Sequence, residues 1–298
     1  MRFSTLSLAA ALLLASPLAH AQKAAKAPKT AAPTATKSLL WEISGNKLAQ
    51  PSYVFGTIHL LCADQLKVSE AVKKAIGNSQ QVALELDMDS PTMAEEMRSQ
   101  LMLPPGQTVQ GCMTKEEYAL VNDYYTNELK MPFAQMGTMK PFILSTLLYP
   151  KMLGCPMGSY EMMLVEMAKA KQMEVIGLET IAEQMGLFDK IPCQKQARLL
   201  SDMVAKRGEA QQEFRALLQL YQAQDVEGLL KMSMDSQFGM EEFEDMLVTS
   251  RNKRWIPLIA QQAASKPTFF AFGAAHLGGP SGVLALLRQQ GYQVKPVL

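Results

Sequence analysis

The chain has 298 residues, with 29 lysines and arginines against 28 aspartates and glutamates and a formal net charge of +1. This balance leaves no basic excess to attract a nucleic-acid backbone or an anionic membrane surface, which argues against nucleic-acid binding. Hydrophobic residues make up 48% of the sequence, enough for a sizeable core.

The first 21 residues read as a secretory signal peptide. Arg2 supplies a basic n-region, Leu6 to Leu14 an apolar h-region, and Ala19-His20-Ala21 a small-x-small cleavage site. The apolar run is shorter than the about 20 residues that a spanning helix needs, so no transmembrane anchor is expected in the mature form. The expected location is the periplasm. Residues 22–37 contain only Gln, Lys, Ala, Pro and Thr. With no large apolar side chain to bury, they are expected to form a flexible basic tether. A single domain is expected over residues 38–298.

Within that domain, Leu39 to Ser44 and Ser52 to Phe55 predict two strands around a Gly45-Asn46 turn. Leu66 to Ile76 carries apolar residues at helical spacing and stops at Gly77-Asn78, and Val82 to Leu86 reads as a short buried strand. Helical periodicity runs through Lys115 to Leu129, Tyr160 to Ala170 and Gln196 to Leu230. Glu174 to Gly177 predicts a strand leading into a helix through Gln184. The end of the chain reads as a strand at Thr268 to Phe272, a glycine-rich turn, a helix at Val283 to Gln290 stopped by Gly291, and a strand at Tyr292 to Val297. The expected class is α/β, with α+β as the alternative: a central mixed sheet flanked by helices, with a mostly helical insertion.

Four cysteines, Cys62, Cys112, Cys155 and Cys193, lie beyond the signal peptide. An even number in an oxidising compartment predicts two disulfides, with three connectivities open. Fourteen of the 21 methionines fall between Met88 and Met173. An adaptable apolar core or groove lining is the favoured reading of these residues, and a copper(I) site the lesser one.

The chemistry concentrates where strands end. Gly56-Thr57-Ile58-His59 follows the second strand, and Gly273-Ala274-Ala275-His276 follows the penultimate one, so the same Gly-x-x-His turn occurs twice. Ligands in open α/β sheets gather outside the carboxyl ends of strands, so two such turns are expected to converge on one pocket. His59 and His276 are the only histidines beyond the signal peptide. Glu85 sits in an otherwise apolar strand, where an unpaired charge would be costly, and is expected to have a partner. It is preferred as the third member over Asp87, which begins a polar turn, although a plain ion pair at a sheet edge would also account for it. Two imidazoles and a carboxylate suit a divalent cation such as manganese, cobalt or zinc, which would activate water for hydrolysis.

These motifs, with Trp41 and its hairpin, Glu85-Leu86-Asp87, Gly177-Leu178-Glu179-Thr180, Glu183-Gln184, Arg251-Asn252 and Gly291-Tyr292, resemble the TraB/GumN family (TraB/PrgY/GumN) from about Leu40 to Val297. The resemblance implies a relation to the Tiki metalloproteases, which act on secreted proteins, and an active site at His59, His276 and Glu85. It also singles out Arg251, to stabilise an oxyanion or bind a substrate carboxylate, and Asn252, with Glu179 and Glu183 in second place. A surface ion pair would account for Arg251, and a helix start for the two glutamates. The expected function is an exported metal-dependent hydrolase of peptides or secreted proteins. The alternative is a non-catalytic binding protein for peptide, haem or metal.

Overall fold

The computed structural model describes residues 37–59, 61–236 and 241–298. The expected signal peptide and all of the tether but Lys37 lie outside the described residues. Eight strands are described: β1 (Leu40–Gly45), β2 (Ser52–Thr57), β3 (Leu61–Cys62), β4 (Gln81–Leu86), β5 (Met157–Gly158), β6 (Glu174–Glu179), β7 (Thr268–Gly273) and β8 (Tyr292–Pro296). Six of them form one mixed sheet in the order β6-β4-β7-β2-β1-β8. β6, β4, β7 and β2 run parallel, whereas β1 is antiparallel to both β2 and β8. The fold is α/β, with helices packed around this sheet.

Burial explains which sequence signals were strong. β2 and β4 are buried at every position, as interior parallel strands covered on both faces must be, and so they read as short apolar runs. The hairpin between β1 and β2 turns where expected: Gly45, Asn46 and Lys47 all take positive φ, and Leu48 N–H donates to Gly45 O. Because β2, β4, β6 and β7 are parallel, their carboxyl ends share one edge of the sheet. Of the motifs singled out in the sequence, both Gly-x-x-His turns, Glu85-Leu86-Asp87, Gly177-Leu178-Glu179-Thr180 and Glu183-Gln184 lie on or just past a strand that ends there, whereas the hairpin, Arg251-Asn252 and Gly291-Tyr292 do not.

The helices depart from the sequence reading at their boundaries. The first begins at Glu70 rather than Leu66, because Ser69 caps it by accepting from Val72 N–H. Lys115–Asp123 is α-helical but continues as a wider π turn over Tyr124–Glu128. The long periodic stretch after Gln196 is three helices, Cys193–Ala205, Arg207–Gln222 and Val226–Asp235. The second break falls at Gln224, whose φ is 56°, before Asp225 caps the next helix. A break of this kind leaves the apolar period almost intact, so periodicity alone cannot place it. Tyr160–Ala170 is a helix with the expected bounds.

The main core packs both faces of the sheet, around Val54, Leu84, Phe269, Phe270, Phe272 and Trp255. A second core, centred on Tyr125, Phe133, Leu144, Leu148 and Leu200, holds the helical insertion together. Met113, Met131, Met136 and Met139 pack against it, and Met93 and Met97 pack near Leu86, Ile181 and Met185. Apolar packing thus accounts for these methionines. The disulfides are Cys62–Cys155 and Cys112–Cys193. Among the described residues, no helix is long and apolar enough to cross a membrane.

Cys112–Cys193 closes a loop across 81 residues within the insertion. Replacing both cysteines by serine is expected to lower the unfolding free energy by about 2–4 kcal/mol, measured by urea denaturation.

Candidate functional site

Strands β2 and β7 are neighbours, with Gly56 opposite Phe272 and Thr57 opposite Gly273, so the two Gly-x-x-His turns leave the sheet side by side. Their glycines do different work. A Cβ on Gly56 would stand 2.7 Å from Leu277 and 2.9 Å from the Ala274 side chain. The bare Cα there is what lets the second turn pack against the first. A Cβ on Gly273 would instead meet His59 Nε2 at 3.4 Å, Glu85 Oε1 at 3.5 Å and His276 Cδ2 at 3.6 Å. Gly273 is therefore the floor of a small cradle walled by the three residues singled out as the active site.

Glu85 is buried in β4, between β6 and β7, and so lies away from the sheet edge. Its Oε1 accepts from Gly273 N–H at 2.8 Å, and its Oε2 accepts from Gln184 Nε2 at 2.8 Å and Arg251 NH2 at 2.5 Å. Burial by itself would raise the Glu85 carboxyl. The field of Arg251, then those of His59 and His276, and the Gly273 N–H overcome that and hold it well below the ordinary carboxylate range.

Arg251 comes from the helix Ser250–Ser265 and is itself buried. Its Nε donates to Glu179, NH2 to Glu179 and Glu85, and NH1 to Leu247 O and His276 Nε2. All five N–H groups of a guanidinium are engaged in this way. Arg251 is thus not a surface ion pair, and no N–H remains to meet an oxyanion or a substrate carboxylate. Arg254, one turn on, donates to the other oxygen of Glu179 at 2.7 Å. Glu179 therefore belongs to the site as an ion-pair partner, whereas Glu183 closes a capping box with Thr180 at the helix start Ile181–Asp189. Asp87 lies in the turn after β4. Burial, then a hydrogen bond with Asp89, raises its pKa, and it lines a separate hollow with Thr180 and Glu183.

The two histidines are unequal. Asn252 Nδ2 donates to the carbonyls of His276 and Ser281, so its Oδ1 accepts from His276 Nδ1–H at 2.7 Å. That bond leaves Nε2 of His276 to accept from Arg251, 3.1 Å away. The ring also packs on Trp255, 4.5 Å between centroids. Burial, against the pull of Glu85 and with the help of Arg251 and His59, pushes its pKa down to about 3, so it is neutral. His59 is open at the mouth, its side chain 58% exposed. Its Nδ1 is 2.9 Å from Glu161 Oε1, and its Nε2 faces Glu85 Oε1 at 3.6 Å. Burial lowers its pKa, but the Glu161 bond and the fields of Glu85 and Glu161 win and bring it to about 9.

Among the described residues, no three His, Cys, Asp or Glu side chains are arranged as a metal site. The expected three-ligand set is not assembled at His276, because both of its ring nitrogens already have partners. His59 Nε2 and Glu85 Oε1 do face the cradle together, and a cation bound there would take the place of the proton on Nε2. Their 3.6 Å separation is close to the roughly 3.4 Å between neighbouring ligands bound about 2.1 Å from a tetrahedral cation. The donor set therefore fits a divalent cation at two of the three expected positions.

Glu161 and Gln184 escaped as site residues for different reasons. Gln184 lies in the Glu183-Gln184 motif, which by itself indicates no partner for it. Glu161 opens a helix, where a carboxylate is ordinary and gives no sign of the histidine it meets.

The sequence model of the TraB/PrgY/gumN family matches residues 39–296. The chain is 24% identical to metalloprotease TIKI2 of Danio rerio over 313 residues, which is 87% of this chain and 60% of that protein. It is 24% identical to metalloprotease TIKI1 of Homo sapiens over 315 residues, 87% of this chain and 61% of that protein. The chain thus spans about three fifths of the length of these relatives. No solved structure matches it significantly.

Two outcomes follow from the buried charges. Arg251→Met removes the buried cation shared by Glu85 and Glu179, leaving only the more exposed Arg254 and His59 at their rims, and is expected to cost about 3–5 kcal/mol in urea unfolding. For pH, the native state binds fewer protons than the unfolded chain between about 3 and the ordinary histidine value of about 6.5, because the His276 pKa is depressed. Its contribution is intact above that window and is lost as pH falls through it. Glu85 adds a further loss below the ordinary glutamate value of about 4.3. With a chelator present, stability is therefore expected to fall from pH 6.5 to pH 3. Stability that rose over this range would contradict a neutral, buried His276.

Proposed function

The chain belongs to the TraB/PrgY/gumN family, and on that premise we propose that it is an exported, metal-assisted hydrolase of peptide bonds. The observation that carries the reading is the convergence of His59 Nε2 and Glu85 Oε1 on the cradle above Gly273. The metalloprotease relatives suggest the reaction class, metalloproteolysis. Two disulfides suit the periplasm or another oxidising compartment.

His59 and Glu85 would hold the cation, which we take to be manganese, cobalt or zinc. When bound, it supplies Lewis acidity toward a carbonyl and makes water a usable nucleophile near neutral pH. The remaining residues prepare the site. Arg251 and Gln184 hold Oε2 of Glu85, so that Oε1 stays turned to the cradle. Asn252 fixes the His276 ring as a neutral wall, and His276 occupies Arg251. The absence of a side chain on Gly273 keeps the space between the donors free, and the exposed edge of His59 marks the side from which a peptide enters.

One observation favours a second reading, binding without turnover. The helical insertion carries a half-open, mostly apolar cavity of about 300 Å³ lined by Phe142, Tyr149, Met152, Met203 and Phe214, away from the cradle residues. A binding protein would be stabilised by a ligand there and would release no product.

The test is cleavage of a fluorogenic peptide library by protein stripped with a chelator and titrated with manganese, cobalt or zinc. One metal is expected to restore cleavage. Gly273→Ala, whose methyl would enter the cradle at ordinary contact distances, is expected to keep its fold and lose about 100-fold in kcat. Metal-independent cleavage, or full activity in G273A, would refute the assignment.

A further inference from the structure

Glu161 sits in the first turn of the helix Tyr160–Ala170, where a carboxylate ordinarily faces solvent and complements the helix dipole. Here it is buried and turned toward the carboxyl edge of the sheet. Its Oε1 accepts from Thr57 Oγ1 at 2.8 Å and lies 2.9 Å from His59 Nδ1, and its Oε2 accepts from Ser159 Oγ at 2.8 Å. A carboxylate with these partners can only accept, so the proton of this bond sits on His59 Nδ1. The other nitrogen, Nε2, is thereby aimed at Glu85 and the cradle.

The backbone around the pair is stapled. β3 begins two residues after His59, and β5 ends three residues before Glu161. The two strands form a small antiparallel ladder, Leu61 opposite Gly158 and Cys62 opposite Met157. The Cys62–Cys155 disulfide closes the same junction. A Cβ on Gly158 would stand 3.0 Å from the Ala63 Cα, so the two segments are in close contact. One ladder and one covalent bond thus fix the segment carrying His59 against the segment carrying Glu161, although 102 residues separate them.

We propose that Glu161 is the positioning residue of His59: it holds the proton on Nδ1 and the ring in place, so that Nε2 is presented to the cradle. The inference rests on the reading of His59 as a donor of the active site. Outer carboxylates of this kind orient metal-binding histidines and raise their basicity, and their loss typically costs 10–100-fold in metal affinity or activity. Glu161 acts through the ring and touches no reacting atom.

The test uses the protein labelled with ¹⁵N in its histidine side chains, freed of metal by a chelator, with signals assigned from His59→Asn and His276→Asn. A slowly exchanging Nδ1–H signal of His59 is expected in the wild type. In Glu161→Ala the signal is expected to vanish, with cobalt affinity about 10–100-fold weaker and peptide kcat lowered at unchanged KM. Glu161→Gln is the same size and retains an acceptor for Nδ1–H, which guards against a simple loss of folding. It is expected to keep the signal at a shifted position and to recover part of the cobalt affinity and kcat. An unaltered His59 signal in E161A, or E161A and E161Q indistinguishable from the wild type in cobalt binding, would overturn the proposal. If the wild type binds no cobalt, the metal reading fails by itself, and the Nδ1–H signals of the two variants still decide the role of Glu161.

Discussion

The arrangement at the carboxyl edge depends on one buried cation. Arg251 lies inside the protein with Glu85 on one side and Glu179 on the other, and Arg254 continues the alternation toward solvent. Removing such charges from water costs several kcal/mol per ion, and the cost is offset only where geometry and hydrogen bonding are complete. They are complete here: every guanidinium N–H has an acceptor, and both oxygens of Glu85 and of Glu179 are engaged. The network spans β4, β6, the Arg251 helix and the second glycine turn. It therefore determines the relative position of four elements that are far apart in sequence.

From that constraint the asymmetry of the two histidines follows. His276 is drawn into the network, its Nε2 bonded to Arg251 and its Nδ1 to Asn252, with Trp255 beneath both Arg251 and the imidazole. His59 stands at its rim, 3.6 Å from Glu85 Oε1, oriented by Glu161 and open to solvent. Two identical motifs thus have different environments, because one is covered by the Arg251 helix and the other is flanked by the helix Tyr160–Ala170. A site with one buried rim and one open rim can hold its charged groups rigidly and still admit a substrate. The rigidity comes from the network, the access from the side it leaves uncovered.

The helical insertion has a separate logic. It has its own core of aromatic and aliphatic side chains, separate from the sheet core, and its own disulfide. One of its strands, β5, nevertheless pairs with β3 beside His59, and the Cys62–Cys155 bond ties that junction to the carboxyl edge. The cysteines therefore fall into one pair that stabilises the insertion and one that fastens it to the site.

Much of this was legible in the amino-acid order. The strands of the sheet are short apolar runs because parallel strands are buried on both faces. Glu85 stood out because a charge in such a run demands a partner, and the paired Gly-x-x-His turns stood out because they share a local chemistry. Each of these signals is local, carried by neighbours within a few residues. What the sequence could not express was contact across the chain: that Gly56 packs under Ala274 and Leu277, that Glu161 meets His59 across 102 residues, and which cysteines join. Arg251 appeared free to bind a substrate because nothing near it in sequence shows that Glu85 and Glu179 already hold it. By itself the sequence determined the elements and the chemical inventory of the edge. Only the tertiary structure decided which groups neutralise one another and which remain open, since burial and ion pairing depend on distances that chain order does not contain.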